Sequence, residues 1–259
     1  MKNHTQLNGF RHRAGIIFLL LLIFTSLSIP SLAFAQQAAI DTTHKTTPVG
    51  TSAILGNIDG VDIEVMVQGP STEVTSLQIA CVFEYTEGDI FNSPPALPAA
   101  VNGMVHLDHD LNGIITDLRK SGKFSGHALE TLLITPPQGT IKAGKLLLIG
   151  LGDRSKFAPE LMLNVAKVAM REALRLNVNT YAFASDLKDG GIDSPTSLIS
   201  GYAVKGAFEA YRTETYLKSK NMSDSKPLTK ITILAGPSFY TISSKGVKDA
   251  IAEIKAGSN

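Results

Sequence analysis

Between residues 61 and 254, short apolar runs alternate with amphipathic helical patterns, and that alternation leaves few folds open. Residues 61–67, VDIEVMV, switch faces with period two. Residues 77–83, 132–134, 146–149, 181–184 and 231–235 add further strand-like runs rich in Val, Ile, Leu and Phe. Leu161, Val165, Val168, Ala169 and Leu176 recur at helical spacing, with Pro159 suited to the first turn. A second helix is predicted from Ser194-Pro195 through about Tyr211, with Leu198, Tyr202 and Ala203 near one face. Val247, Ile251 and Ile254 mark a last amphipathic helix, ended by Gly257. Apolar strands separated by helices predict the α/β class: a three-layer α/β/α sandwich around a mixed, largely parallel central sheet. No internal repeat or second linker interrupts the pattern, so residues 53–259 read as one domain.

The preceding segment is of another kind. Lys2, Arg11 and Arg13 form a basic stretch without acidic residues, and residues 14–29 form an apolar run. Pro30 breaks that run, and Ala33-Phe34-Ala35 offers small residues where signal peptidase cuts. The run is shorter than the roughly 20 residues of a membrane-spanning helix. Residues 1–35 are therefore expected to be a signal peptide, with the mature chain starting at Gln36 in the periplasm or secreted. No cysteine follows the cut to carry a lipid, so no membrane attachment is expected after cleavage. Residues 36–52 are polar, rich in threonine and aperiodic, as a flexible leader would be. The mature chain would hold 21 basic and 23 acidic side chains, a net charge of −2, which argues against an electrostatic nucleic-acid partner. Cys81 is the sole cysteine, so no intrachain disulfide can form; its apolar neighbours make it a small core residue.

Residues 145–157, KLLLIGLGDRSKF, pose the sharpest question about a site. A strand, a Gly-x-Gly turn and a helix resemble the approach to a phosphate-binding loop. A dinucleotide fingerprint requires a third glycine, however, and Ser155 stands there. The P-loop spacing is also missing. The simpler role for Gly150 and Gly152 is conformational. Gly150, Gly152 and Asp153 are kept as candidate ligand contacts, through backbone amides near Gly152 and Asp153.

His106, Asp108, His109 and Asp110, in HLDHD, carry donor types that bind transition metals. The competing role is a helix cap, with Asp108 or Asp110 opening a helix over about residues 111–120. The cap is preferred, because His44 and His127 stand apart and supply no matching ligand cluster. Neither a Gly-x-Ser-x-Gly elbow nor a His-Glu-x-x-His pair is present. No catalytic residue, metal site or cofactor is predicted.

Three stretches together carry a family resemblance. Residues 113–134, GIITDLRKSGKFSGHALETLLI, hold a helix, a Gly-x-Phe-x-Gly turn and a strand in the order typical of the N-terminal domain of leucyl aminopeptidases. KLLLIGLGD resembles the strand before that domain's long helix, and residues 206–220, GAFEAYRTETYLKSK, resemble its helix ending in an aromatic-Arg-x-x-x-Tyr-Lys run. The resemblance spans roughly residues 61–254. It implies a macro-domain-like fold and a domain that does not itself hydrolyse peptides. In that family hydrolysis belongs to a following domain with two metal ions, and its Asn-Thr-Asp-Ala-Glu-Gly-Arg and Val-Gly-Lys-Gly segments are absent here. No catalytic or metal residue is carried over. The resemblance leads to an exported, non-catalytic binding or interaction module, whose partner is a separate peptidase chain or further copies of itself. Two alternatives stand beside it: a small-ligand module of the ADP-ribose or nucleotide type, and a truncated or split part of a metallo-aminopeptidase.

Overall fold

The computed structural model describes residues 46–86 and 96–257. The expected signal peptide and residues 36–45 of the expected leader lie outside the described residues.

Among the described residues, seven strands form one sheet: β1 (Ser52–Ile58), β2 (Val61–Val67), β3 (Leu77–Val82), β4 (Thr131–Ile134), β5 (Leu146–Gly150), β6 (Thr180–Ala184) and β7 (Lys230–Ala235). Their spatial order is β1-β2-β7-β6-β3-β5-β4. The five inner strands run parallel, and the edges β1 and β4 pair antiparallel with β2 and β5. Every residue of β3 and β5 is buried, which explains their unbroken apolar runs: both faces of a parallel sheet are covered.

Among the described residues, five α-helices supply the cover: α1 (Gly103–Asp110), α2 (Ile114–Lys120), α3 (Leu161–Arg175), α4 (Thr196–Ser219) and α5 (Tyr240–Ala256). Helices α3, α4 and α5 pack on one face, against Ile63, Val65, Ile79, Ile149, Phe183 and Ile233. Helices α1 and α2, with Phe124, cover Ala80, Val82, Leu146 and Leu148 on the other. The three-layer α/β/α sandwich is therefore borne out, and Cys81 is buried in the core as expected. No helix among the described residues is long and apolar enough to cross a membrane.

Four local expectations are corrected. First, β1 was not foreseen. Its residues, SAILGNI, carry a register irregularity between Ile54 and Gly56 and leave Ile54 exposed, so no clean alternation announces an edge strand. The fold also starts before Ser52: Thr47 N donates to Pro237 O at 3.0 Å and Gly50 N to Val67 O at 2.8 Å.

Second, the helix expected over about residues 111–120 starts only at Ile114, as α2, and a separate helix, α1, precedes it. Asn112 and Gly113 adopt positive φ, 57° and 79°, and turn the chain between α1 and α2. Third, α4 runs on to Ser219, and its buried residues are Ile199, Ser200, Gly201, Ala203, Val204, Gly206, Ala207, Phe208 and Ala210. Leu198, expected in the buried face, is exposed. Small residues win the interface because α4 lies very close to its neighbours. A Cβ on Gly206 would stand 2.0 Å from Leu163 O of α3, and one on Gly246 of α5 would stand 1.9 Å from Ser197 O of α4. Fourth, Pro159 precedes α3 instead of occupying its first turn, and its carbonyl accepts from Met162 N at 3.0 Å.

Candidate functional site

The strand-turn-helix segment is locked by its own chain. Beside the end of β5, Leu129 N donates to Gly150 O, Gly150 N to Glu130 O and Gly152 N to Gly126 O, at 2.8–2.9 Å. A Cβ on Gly150 would lie 2.0 Å from His127 O, and Gly152 has φ +77°. Residue 150 must therefore be glycine for a backbone to cross it, and residue 152 for its left-handed turn. The Asp153 carboxylate accepts from Ser155 N at 2.9 Å and Ser155 Oγ at 2.8 Å, closing a single turn at Arg154–Lys156. Those bonds, with Lys156 beside them, hold the exposed Asp153 carboxyl below its ordinary range. The amides of Gly150 and Gly152 are thus already committed within the chain.

The HLDHD residues separate. The Asp108 carboxylate accepts from Ile115 N at 2.9 Å, Thr116 N at 3.1 Å and Thr116 Oγ1 at 2.6 Å. It caps α2 across the intervening turn, so the cap sits inside α1 rather than just ahead of one helix. His109 is exposed beside Asp110, and His106 points elsewhere, toward the cleft described next. Among the described residues, no group of three or more His, Cys, Asp or Glu side chains converges as a metal site would.

Among the described residues, a cleft of about 340 Å³ opens at the carboxyl ends of β2, β6 and β7. Topology explains its place. After β3 the chain passes to the α1 and α2 face, whereas after the adjacent β6 it passes to α4 on the opposite face. Neighbouring parallel strands that diverge in this way leave a crevice between their exits. The loop after β2 forms one wall through Gly69, Pro70 and Ser71, and Phe239 and Ala235 form another. The first turns of α4 and α5 border it through Thr196, Ser200 and Ser243, and neither helix has a side-chain cap. The dipoles of two helices starting here favour negative charge on that side of the cleft. Ser200 Oγ and Ser243 Oγ lie 2.7 Å apart and tie the two helices together there.

Two acids sit opposite, in the loop after β6. Asp186 has φ +54°, and this left-handed turn brings its carboxylate back to accept from Cys81 N at 2.9 Å. The side chain thereby continues the β3–β6 ladder one step beyond Ala80 and Ala184. Asp189 accepts from Met104 N at 3.2 Å, at the start of α1. Burial, and then the neighbouring Asp189 charge, pushes the Asp186 carboxyl well above the ordinary carboxylate range. Burial also raises Asp189, to about 6, although the amides of Met104 and Gly103 and the charge of His106 pull the other way. Lys188, between them in sequence, pairs with Asp193 at 2.6 Å and lies 6.0 Å from the Phe239 ring centre.

Gly150, Gly152 and Asp153 do not line this cleft. Sequence reading missed Asp186, Asp189, Ser200, Phe239 and Ser243. One signal was available: residues 185–191, SDLKDGG, follow a parallel strand directly, and strand exits are where such folds bind ligands.

Comparison with known proteins agrees with the fold. Residues 90–220 match the family model described as cytosol aminopeptidase family, N-terminal domain. A probable cytosol aminopeptidase of Roseiflexus castenholzii is 30% identical over 142 residues, 54% of this chain and 28% of the relative. One of Sinorhizobium fredii is 30% identical over 146 residues, 53% of this chain and 28% of the relative. The match thus spans little more than a quarter of these relatives' length. Among solved structures, an Oceanobacillus iheyensis macrodomain mutant with ADPR aligns with a TM-score of 0.56 at 12% identity, over 78% of this chain and 100% of that one. A tomato leucine aminopeptidase mutant aligns with a TM-score of 0.50 at 22% identity, over 82% of this chain and 38% of that one. The macro-domain-like description is borne out by both.

Proposed function

This chain belongs to the cytosol aminopeptidase family through that family's N-terminal domain, and on that premise we propose that it is an exported, non-catalytic binding module. The observation that carries this reading is the cleft of about 340 Å³ at the β2, β6 and β7 exits. It has apolar walls, an acidic floor and two uncapped helix starts, which suits a small polar molecule held by few directed contacts. The matched segment is the family's N-terminal domain, and His106, Asp108 and the His109–Asp110 pair do not converge, so chemistry on a peptide bond has no support from these residues. Export rests on the basic, apolar and Ala-Phe-Ala segments of residues 1–35.

The test uses the protein recovered from the cell envelope, whose N-terminal residue by mass spectrometry should be Gln36. Its melting temperature is then followed against ADP-ribose, ADP, free amino acids, dipeptides and aliphatic amines. At least one compound should stabilise it, and Thr196→Trp, which fills the cleft mouth, should abolish that shift while leaving the unliganded melt nearly unchanged. If no compound shifts the wild-type melt, the small-molecule reading falls. ADP-ribose and ADP belong in the panel because macrodomains solved with them share the fold, at 12–14% identity.

A second reading has its own support. The tomato aminopeptidase matches this chain over 38% of its length, so there the domain sits beside further chain. A separate peptidase chain, or a second copy of this one, would fill that role for an exported module. Co-purification from the envelope decides: a clean monomer without a companion would count against it.

A further inference from the structure

The cleft is lopsided in charge, and that asymmetry selects among ligands. The Asp189 charge acts on Asp186, and both carboxylates line the cleft while accepting backbone amides, Asp186 from Cys81 and Asp189 from Met104 and Gly103. Carboxylate oxygens have more acceptor capacity than one bond uses. The charged and titratable groups facing the pair are the Cys81 thiol on β3, His106 on α1 and Lys188 in their own loop. Lys188 is engaged by Asp193. His106 is the remaining basic side chain, and it lies at the exposed edge. Among the described residues, no cationic side chain is seated between the members of the pair, which lies under an apolar-walled space.

We propose that the cleft takes a small ligand carrying a protonated amine on an apolar body, the ammonium group seated between Asp186 and Asp189. Its donors would satisfy the open carboxylate oxygens, and its charge would relieve the repulsion between them. The apolar part would lie against Val67, Pro70 and Phe239. This inference rests on the binding-module reading and narrows it to one ligand class.

A cation placed between two acids lowers their pKa values, so binding releases protons. With Asp189 raised to about 6, amine affinity should climb as pH rises through that value. Without ligand the sign is opposite. A raised carboxyl stabilises the fold when protonated, and that contribution is lost as pH rises through about 6.

The experiment is titration calorimetry of the exported protein with n-butylammonium, butanoate and ADP-ribose, in two buffers of different ionisation enthalpy near pH 6. The expected result is butylammonium binding with net proton release, at least about tenfold tighter than butanoate. Asp189→Asn keeps an oxygen for the Met104 amide, and it should weaken the amine by about tenfold or more while flattening the pH dependence of both binding and stability. Proton release is read on the unaltered protein and requires no variant to fold. If ADP-ribose or butanoate binds and is lost in Thr196→Trp while butylammonium does not bind, the amine class is overturned and the binding-module reading stands. If butylammonium binds with proton uptake, or equally well to Asp189→Asn, the placement between the acids is wrong. If none of the three binds, the amine class is likewise overturned, and the wider panel then decides the parent reading.

Discussion

Gly246→Ala is expected to lower folding stability by about 3 kcal/mol or more, a large loss for one methyl group. The added Cβ would lie 1.9 Å from Ser197 O, 2.6 Å from Ser197 C and 2.7 Å from Ser197 Cα. All three are main-chain atoms of α4, so no rotamer change can relieve the contact, and the helices must separate. Intrinsic propensity pulls the other way, because alanine favours an isolated helix over glycine by about 1 kcal/mol. The sign of the measured change therefore reports which effect wins. Gly201 on α4 is the internal control: its Cβ would meet nothing nearer than Gly246 O at 3.4 Å. Gly201→Ala should stay within about 1 kcal/mol of wild type in urea unfolding. Because Ser200 and Ser243 join the same two helices at the cleft, Gly246→Ala should also weaken ligand binding in whatever fraction remains folded.

Gly150→Ala should be nearly as damaging, at about 3 kcal/mol, because its Cβ would enter the main chain of residues 126–127, 2.0 Å from His127 O and 2.5 Å from Gly126 C. Gly152→Val is expected to disturb folding too, through its φ of +77° and an Ala128 neighbour at 3.3 Å. Circular dichroism melts measure both. A variant at either position that melted like wild type yet lost an anionic ligand would return this turn to the phosphate-binding role.

Much of the fold was legible because its inner strands are buried on both faces. The unbroken run in β5 and the Val165 and Ala169 spacing in α3 come directly from that arrangement. β1 was not legible, since an irregular edge strand with one exposed face can carry Gly56 and Asn57. The face of α4 was misread for a different reason. Large side chains such as Leu198 draw the eye, but the buried side sets Gly201, Ala203, Gly206 and Ala207 among Ile199, Val204 and Phe208, and the small residues let the backbones approach closely.

The candidate site was hidden by distance along the chain. SDLKDGG carries no local motif, and Asp186 and Asp189 stand out only once the sheet order sets β6 beside β3. Cys81 N then lies 2.9 Å from an oxygen 105 positions away. Local motif reading settled on the glycines after β5, where the chain satisfies its own amides. Glycine spacing records a backbone demand, which ligand binding and close packing impose alike.

The central claim is that the exits of β2, β6 and β7 form the binding surface of this module. A backbone amide map of the nitrogen-labelled protein, recorded during titration with n-butylammonium and separately with ADP-ribose, tests it most directly. Shifts are predicted in residues 67–72, 185–189, 196–203 and 235–243, which border the cleft. Shifts centred on residues 150–153 instead, or a map that neither compound changes, would contradict the account.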